Sequence, residues 1–82
     1  MYHTFRLFER SKKNGFLETK GSVITINMAL VQAIQMKNFC VQIDSDLETM
    51  TLLEVSFTSK TIIVEPQNYD EFQLMMDQMS QR

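Results

Sequence analysis

The stretch that most constrains the fold is Thr51–Arg82. Leu53, Val55 and Phe57 alternate along its first arm, and Ile62 and Val64 along its second. A period of two places these five side chains on one face of a half-buried β-hairpin. The expected arms are Leu52–Thr58 and Thr61–Glu65, joined at Ser59-Lys60. A tight turn there sets Phe57 opposite Ile62 and Val55 opposite Val64. Ser-Lys is not the Asn-Gly or Asp-Gly that two-residue turns favour, so a four-residue loop with the same facing is the alternative. Pro66 ends the second arm. Asn68 is then a helix cap, Glu71 sits three residues later to bond back to it, and Asp70 adds favourable first-turn charge. Tyr69, Phe72, Met75, Met76 and Met79 form one stripe at helical spacing, expected to lie on the apolar face of the hairpin. Leu74 points the other way, with Asp70, Asp77 and Gln78.

The 82 residues suffice for one domain, 1–82, which buries roughly 60–65% of the surface of its unfolded form. With 44% hydrophobic and 22% charged residues the chain reads as globular, not disordered. No apolar run approaches the ~20 residues of a membrane span. Met1 leads directly into strand-like sequence, without a basic and then apolar leader. Cys40 is the single cysteine, so no internal disulfide forms. These features set the expectation of a cytoplasmic protein. The net charge of −2 is unevenly spread. Residues 1–40 carry six basic and two acidic residues, net +4, whereas residues 41–82 carry two basic and eight acidic, net −6.

Tyr2–Arg10 alternates like a strand, with Phe5 and Leu7 on one face and Tyr2, Arg6, Phe8 and Arg10 on the other. Ser11–Ser22 holds both glycines and is expected to be the least ordered stretch. Asn14-Gly15 within it is a hairpin signal that brings Phe5 opposite Ile24. Phe16-Leu17 then extends the hairpin or folds back as a flap over Phe8. Val23–Met28 is a strand with Ile24, Ile26 and Met28 inward. Ala29–Met36 reads as a short helical step near Met28–Val31, with Asn27 available as a cap, returning to strand through Ile34; a full two-turn helix is the alternative. Phe39–Asp44 is a strand whose Phe39, Val41 and Ile43 share a face, pairing Ile43 with Leu53 across an exposed acidic link, Ser45–Met50. The result is an α+β domain: about five antiparallel strands with one C-terminal amphipathic helix on one face.

Little in the chain supports catalysis. His3 is the only histidine, near the terminus, and reads as a surface residue with no serine or cysteine partner by spacing. Cys40 lies on the strand face away from Phe39, Val41 and Ile43, as a small packed or half-exposed residue. One cysteine and one histidine do not make a tetrahedral zinc site. Asp44, Asp46 and Glu48 alternate as in a calcium loop, but the required glycine is missing. No phosphate-cradling glycine loop occurs. The expectation is therefore no enzyme, no metal, no cofactor and no small-molecule substrate.

Three surfaces are candidates for binding. Tyr2, Arg6, Phe8 and Arg10, with Lys12, Lys13 and Lys20 nearby, interleave basic and aromatic side chains as single-stranded nucleic-acid binders do. The methionine-rich helix leaves Leu74 outside its buried stripe, as a contact residue. The acidic set Asp44, Asp46, Glu48, Glu54, Glu65, Asp70, Glu71 and Asp77 could present negative charge to a basic partner. In the expected register Glu54 and Glu65 face each other on the outer hairpin surface. Strand one is the expected sheet edge, so the contact surface is expected to include strand one or the outer helix face around Leu74.

The order strand, Ile26-Asn27 step, Val31 and Ile34, hairpin, then a helix opening Asn68-Tyr69-Asp70-Glu71-Phe72, resembles small single-domain accessory proteins of bacteria and phages, including the short flagellar-operon proteins. The resemblance covers most of residues 22–79 and rests on patterning, not on a diagnostic motif. It implies a stand-alone accessory or regulatory protein, and it carries over no site residues. The reading is a non-enzymatic protein-binding module that self-associates, or regulates or inhibits one larger protein, of bacterial, phage or mobile-element type with an acidic surface. The alternative is a small nucleic-acid-binding protein that uses strand one.

Overall fold

The computed structural model describes residues 1–81; Arg82, the end of the stretch read first above, lies outside them. Six strands and one C-terminal helix make an α+β fold. In chain order they are β1 (Tyr2–Arg10), β2 (Leu17–Glu18), β3 (Val23–Asn27), a 3₁₀ turn (Met28–Leu30), β4 (Ala33–Ile43), β5 (Asp46–Ser56), β6 (Thr61–Glu65) and α1 (Tyr69–Ser80). The sheet runs β2-β4-β5-β6-β1-β3, antiparallel except where Leu17 meets Val41 in parallel. Phe5 pairs with Ile24 as the apolar parities require. The step after β3 is a 3₁₀ turn capped by the Asn27 side chain, which accepts from the Ala29 N–H at 3.0 Å.

The sixth strand comes from the loop that looked least ordered. β2 pairs with β1 through Glu9–Glu18 and Arg10–Leu17, and with β4 through Leu17–Val41. It thereby closes a ring of β1, β2, β4, β5 and β6. Each ring strand sends apolar side chains into one core: Phe8, Leu17, Phe39 and Val41, Met50 and Leu52, and Ile63. Gly15 at φ +78° turns the chain so that Leu17 can return onto β1.

The opposite sheet face carries the larger core of Phe5, Ile26, Met28, Val31, Ile34, Leu53, Val55 and Val64, with Met75 of α1 buried among them. The cap is as the sequence indicates: the Asn68 side chain accepts from the Glu71 N–H at 3.0 Å. The Glu71 carboxylate reaches one residue further back than expected and accepts from the Gln67 N–H at 2.8 Å. The buried stripe of α1 is Phe72, Met75 and Met79. Tyr69 and Met76 are exposed, at 73% and 36%, because α1 meets the sheet along a narrower line than the five-residue stripe assumes. Leu74 is 49% exposed, on the outer side.

Two registers differ from expectation. β4 and β5 join through a two-residue turn at Asp44-Ser45, so Ile43 faces Asp46 rather than Leu53. Asp44 sits at φ +54°, a left-handed conformation that Asp tolerates better than most residues. The supposed acidic link 45–50 is therefore mostly strand. The slip is by an odd number of residues, so Phe39 and Val41 move to the face opposite Leu53 and Val55. In the last hairpin, Val55 faces Ile62 and Leu53 faces Val64, around a loop in which the Phe57 N–H donates to the Lys60 carbonyl. That shift is by two residues, so the facing survives. It separates Glu54 from Glu65, and Glu54 lies opposite Ile63. β1 is not an edge, since it lies between β6 and β3.

Leu17 belongs to a two-residue strand but is 1% exposed. Leu17→Ala is therefore expected to cost about 2–5 kcal/mol, against a total stability of roughly 4–12 kcal/mol for a chain of this size. Urea denaturation reads this directly. A change below about 1 kcal/mol would mean that the ring does not close through Leu17.

Candidate functional site

The open edges follow from the strand order. β3 is paired only with β1, and β4 is covered by β2 only at Val41. Within β3 the hydrogen-bond phase can be read from its ends. The Leu7 N–H donates to the Ser22 carbonyl at 2.9 Å, and the Met28 N–H to the Met1 carbonyl at 2.9 Å. Antiparallel pairs alternate between bonded and non-bonded, so Phe5–Ile24 and His3–Ile26 are bonded pairs. The backbone groups of Val23 and Thr25 and the Asn27 N–H therefore point outward along the free edge, while the Asn27 carbonyl opens the 3₁₀ turn.

Natural edges are blunted by lysine, proline, bulges or cover. β3 reads Val-Ile-Thr-Ile-Asn, with no charge and no proline, and its five-residue pairing to β1 is unbroken. Val23 is 69% exposed. A groove of about 490 Å³ runs beside the strand, lined by Tyr2, Ile24, Ile26, Leu30, Phe57 and Lys60 among others. Tyr2 and Leu30 on its rim are exposed. An extended chain laid on β3 would find main-chain partners at the edge and apolar contacts in the groove. The open part of β4 carries Lys37, which binds Glu54 at 3.2 Å.

The basic and aromatic residues of β1 do not form one platform. Phe8 is 3% exposed, inside the ring beneath Leu17. Arg6 pairs with Glu65 at 3.3 Å, and Arg10 donates to the Gly15 carbonyl at 2.9 Å. Tyr2 is exposed at the far end of the strand. Arg10, Lys12, Lys13 and Lys20 do line one concavity, shared with Glu9 and Glu18.

The acidic residues are dispersed as well. Asp44, Asp46 and Glu48 lie at and beside the β4–β5 turn. Glu54 and Glu65 are on the sheet face opposite α1, each beside a cation. Asp70, Leu74 and Asp77 are exposed on α1, where Asp77 accepts from Gln73 at 3.1 Å. Among the described residues, no group of three or more His, Cys, Asp or Glu could hold a metal ion. Also among them, no helix is long and apolar enough to cross a membrane. Cys40 is an exposed free thiol.

His3 is not a surface residue. Its side chain is 9% exposed between β1 and α1, with Nδ1 3.4 Å from a Glu71 oxygen and Nε2 3.0 Å from Gln78 Oε1. It stacks on Phe5 with ring centroids 6.0 Å apart. It helps seat the helix, and Gln78 is in turn hydrogen-bonded to the Met1 sulfur.

The sequence reading missed β3 as the exposed edge. The available signal was an uncharged strand of five residues between Gly21 and the 3₁₀ turn, with nothing to discourage pairing. No protein family matches the chain, and neither a curated protein nor a solved structure is similar to it.

The hydrogen-bond phase makes a direct prediction for amide exchange. In dilute protein the Ile24 and Ile26 amides should exchange slowly and the Val23 and Thr25 amides fast, with the contrast measured residue by residue in deuterium oxide. Uniform protection along β3 in dilute protein would contradict the outward phase.

Proposed function

We propose that the chain is a non-enzymatic protein-binding module that engages its partner by strand addition along β3. The carrying observation is the unprotected β3 edge beside an apolar groove. In strand addition, main-chain bonds supply affinity, and pockets for alternate side chains supply specificity. The exposed Leu74 face of α1 is a second contact zone, and the acid-rich β4–β5 tip would favour a basic partner. A small module with such an edge suits the self-association, or the regulation of one larger protein, that the resemblance to short accessory proteins implies.

The nucleic-acid alternative keeps one supporting observation, the concavity with Arg10, Lys12, Lys13 and Lys20. Two carboxylates share it, and the aromatic side chain expected to stack bases, Phe8, is buried.

Capture from nuclease-treated lysate separates the two readings, using wild type and Val23→Lys, a charge on the open edge. The protein-binding reading expects a nuclease-resistant partner, or the chain itself, retained by wild type and lost by Val23→Lys. The alternative expects oligonucleotide binding whose salt slope falls by about two units in Lys12→Ala with Lys13→Ala. Micromolar oligonucleotide affinity at physiological salt, lost in that double variant, would overturn the proposal.

A further inference from the structure

The geometry points to a second copy of this chain as the occupant of the β3 edge, paired antiparallel about a two-fold axis beside Thr25. This narrows the protein-binding reading and rests on it. The outward backbone groups belong to Val23, Thr25 and Asn27, evenly spaced about Thr25. A two-fold axis there sets Thr25 against Thr25 of the second copy, and Val23 against its Asn27. All three pairs are in the bonded phase, which gives about four inter-chain hydrogen bonds, two at Thr25 and one from each Asn27 N–H to the facing Val23 carbonyl, because the Asn27 carbonyl already serves the 3₁₀ turn. An axis midway between two residues would match outward groups with inward ones. One at Ile24 or Ile26 keeps the phase but leaves one end of the five-residue strand unpaired, so the axis at Thr25 is the one that uses all of β3.

The side chains obey the same symmetry. Ile24 falls opposite Ile26 of the second copy in the closer non-bonded pairing, on the groove face, where the partly buried Ile24 supplies the apolar surface and Ile26 is already buried in its own core. Thr25 meets itself on the other face, where its hydroxyl already bonds Thr4 at 2.9 Å. Charge is compatible too. No charged residue occurs from Gly21 to Leu30. The two-fold axis carries Lys20 of each copy to opposite ends, beside the uncharged 3₁₀ turn of the other. Isologous two-fold contacts are the commonest closed arrangement, and a self-complementary strand is what one requires. The open part of β4 lacks this character, because Lys37 interrupts it and Leu17 covers its end. A foreign extended segment is the competing occupant, and the test separates the two.

Sedimentation equilibrium on the full chain from about 1 to 200 μM reads the dissociation constant. Wild type is expected to pass from monomer to dimer over that range. Thr25→Lys and Thr25→Glu should each weaken the dimer at least about tenfold, because like charges are set directly opposite. An equimolar mixture of the two variants should restore a heterodimer of wild-type affinity, since only an axis at this residue makes position 25 meet itself. Far-UV circular dichroism checks that both variants fold. A wild type that stays monomeric throughout overturns the inference; so do variants that dimerise like wild type, and so does a mixture that fails to recover. A monomeric wild type that still captures a lysate partner, lost in Val23→Lys, leaves the protein-binding reading standing and removes only the second copy. If the variants misfold, the concentration series on wild type still decides whether a second copy binds.

Discussion

The pairing of β4 with β5 is the constraint on which the rest depends. Eleven consecutive residue pairs lock Ala33–Ile43 against Asp46–Ser56. Strand side chains alternate with a period of two, so this register decides which apolar residue faces which core. It sends Ile34, Met36, Leu53 and Val55 toward α1, and Phe39, Val41, Met50 and Leu52 into the ring. A slip of one residue would exchange the two sets on one of these strands, moving its apolar residues out of their cores and turning Lys37 of β4 or Glu54 of β5 toward α1. The Asp44-Ser45 turn fixes the register by accepting a left-handed residue where only two are available to reverse the chain.

Two cores in so short a chain explain its economy. The sheet is apolar on the α1 face over one half, and on the ring face over the other. The β4–β5 ribbon is long enough to serve both, and the molecule spans 42 Å along its longest axis. Leu17 makes the second core possible, since it alone touches both β1 and β4 in the strand pairing. His3, Glu71 and Gln78 tie the chain's start to its end, seating α1 over the first core.

Much of this was legible from the residues. Alternation in β1, β3 and the last hairpin placed the right side chains on the right faces. The Asn68 cap and the 3₁₀ step after Asn27 were local signals with local causes. The failures were non-local. Phe39, Val41 and Ile43 alternate cleanly, but alternation does not say which face of the sheet they join; the turn does, and Asp-Ser is a weaker signal than Asn-Gly. Leu17 carries no periodic signal in a two-residue strand. The acidic residues of 44–48 looked like a solvated link because polar strands and loops share a composition. The candidate edge was misplaced for the same kind of reason: strand order comes from tertiary pairing, and first in sequence became interior in the sheet.

What remains open in the fold is the outer side of β3, where backbone donors and acceptors face outward without charge, proline or bulge. Its symmetry about Thr25 gives the account a signature at atomic scale. In an antiparallel pairing centred there, Ile24 of one copy and Ile26 of the other form a non-bonded pair, with Cα atoms about 4.5 Å apart. Isotope-filtered nuclear Overhauser spectroscopy on an equimolar mixture of labelled and unlabelled chain measures this contact alone. The account predicts an intermolecular cross-peak between the Ile24 and Ile26 Hα protons. A dimeric sample whose intermolecular cross-peaks arise only elsewhere, for instance from Leu74 on α1, would contradict it.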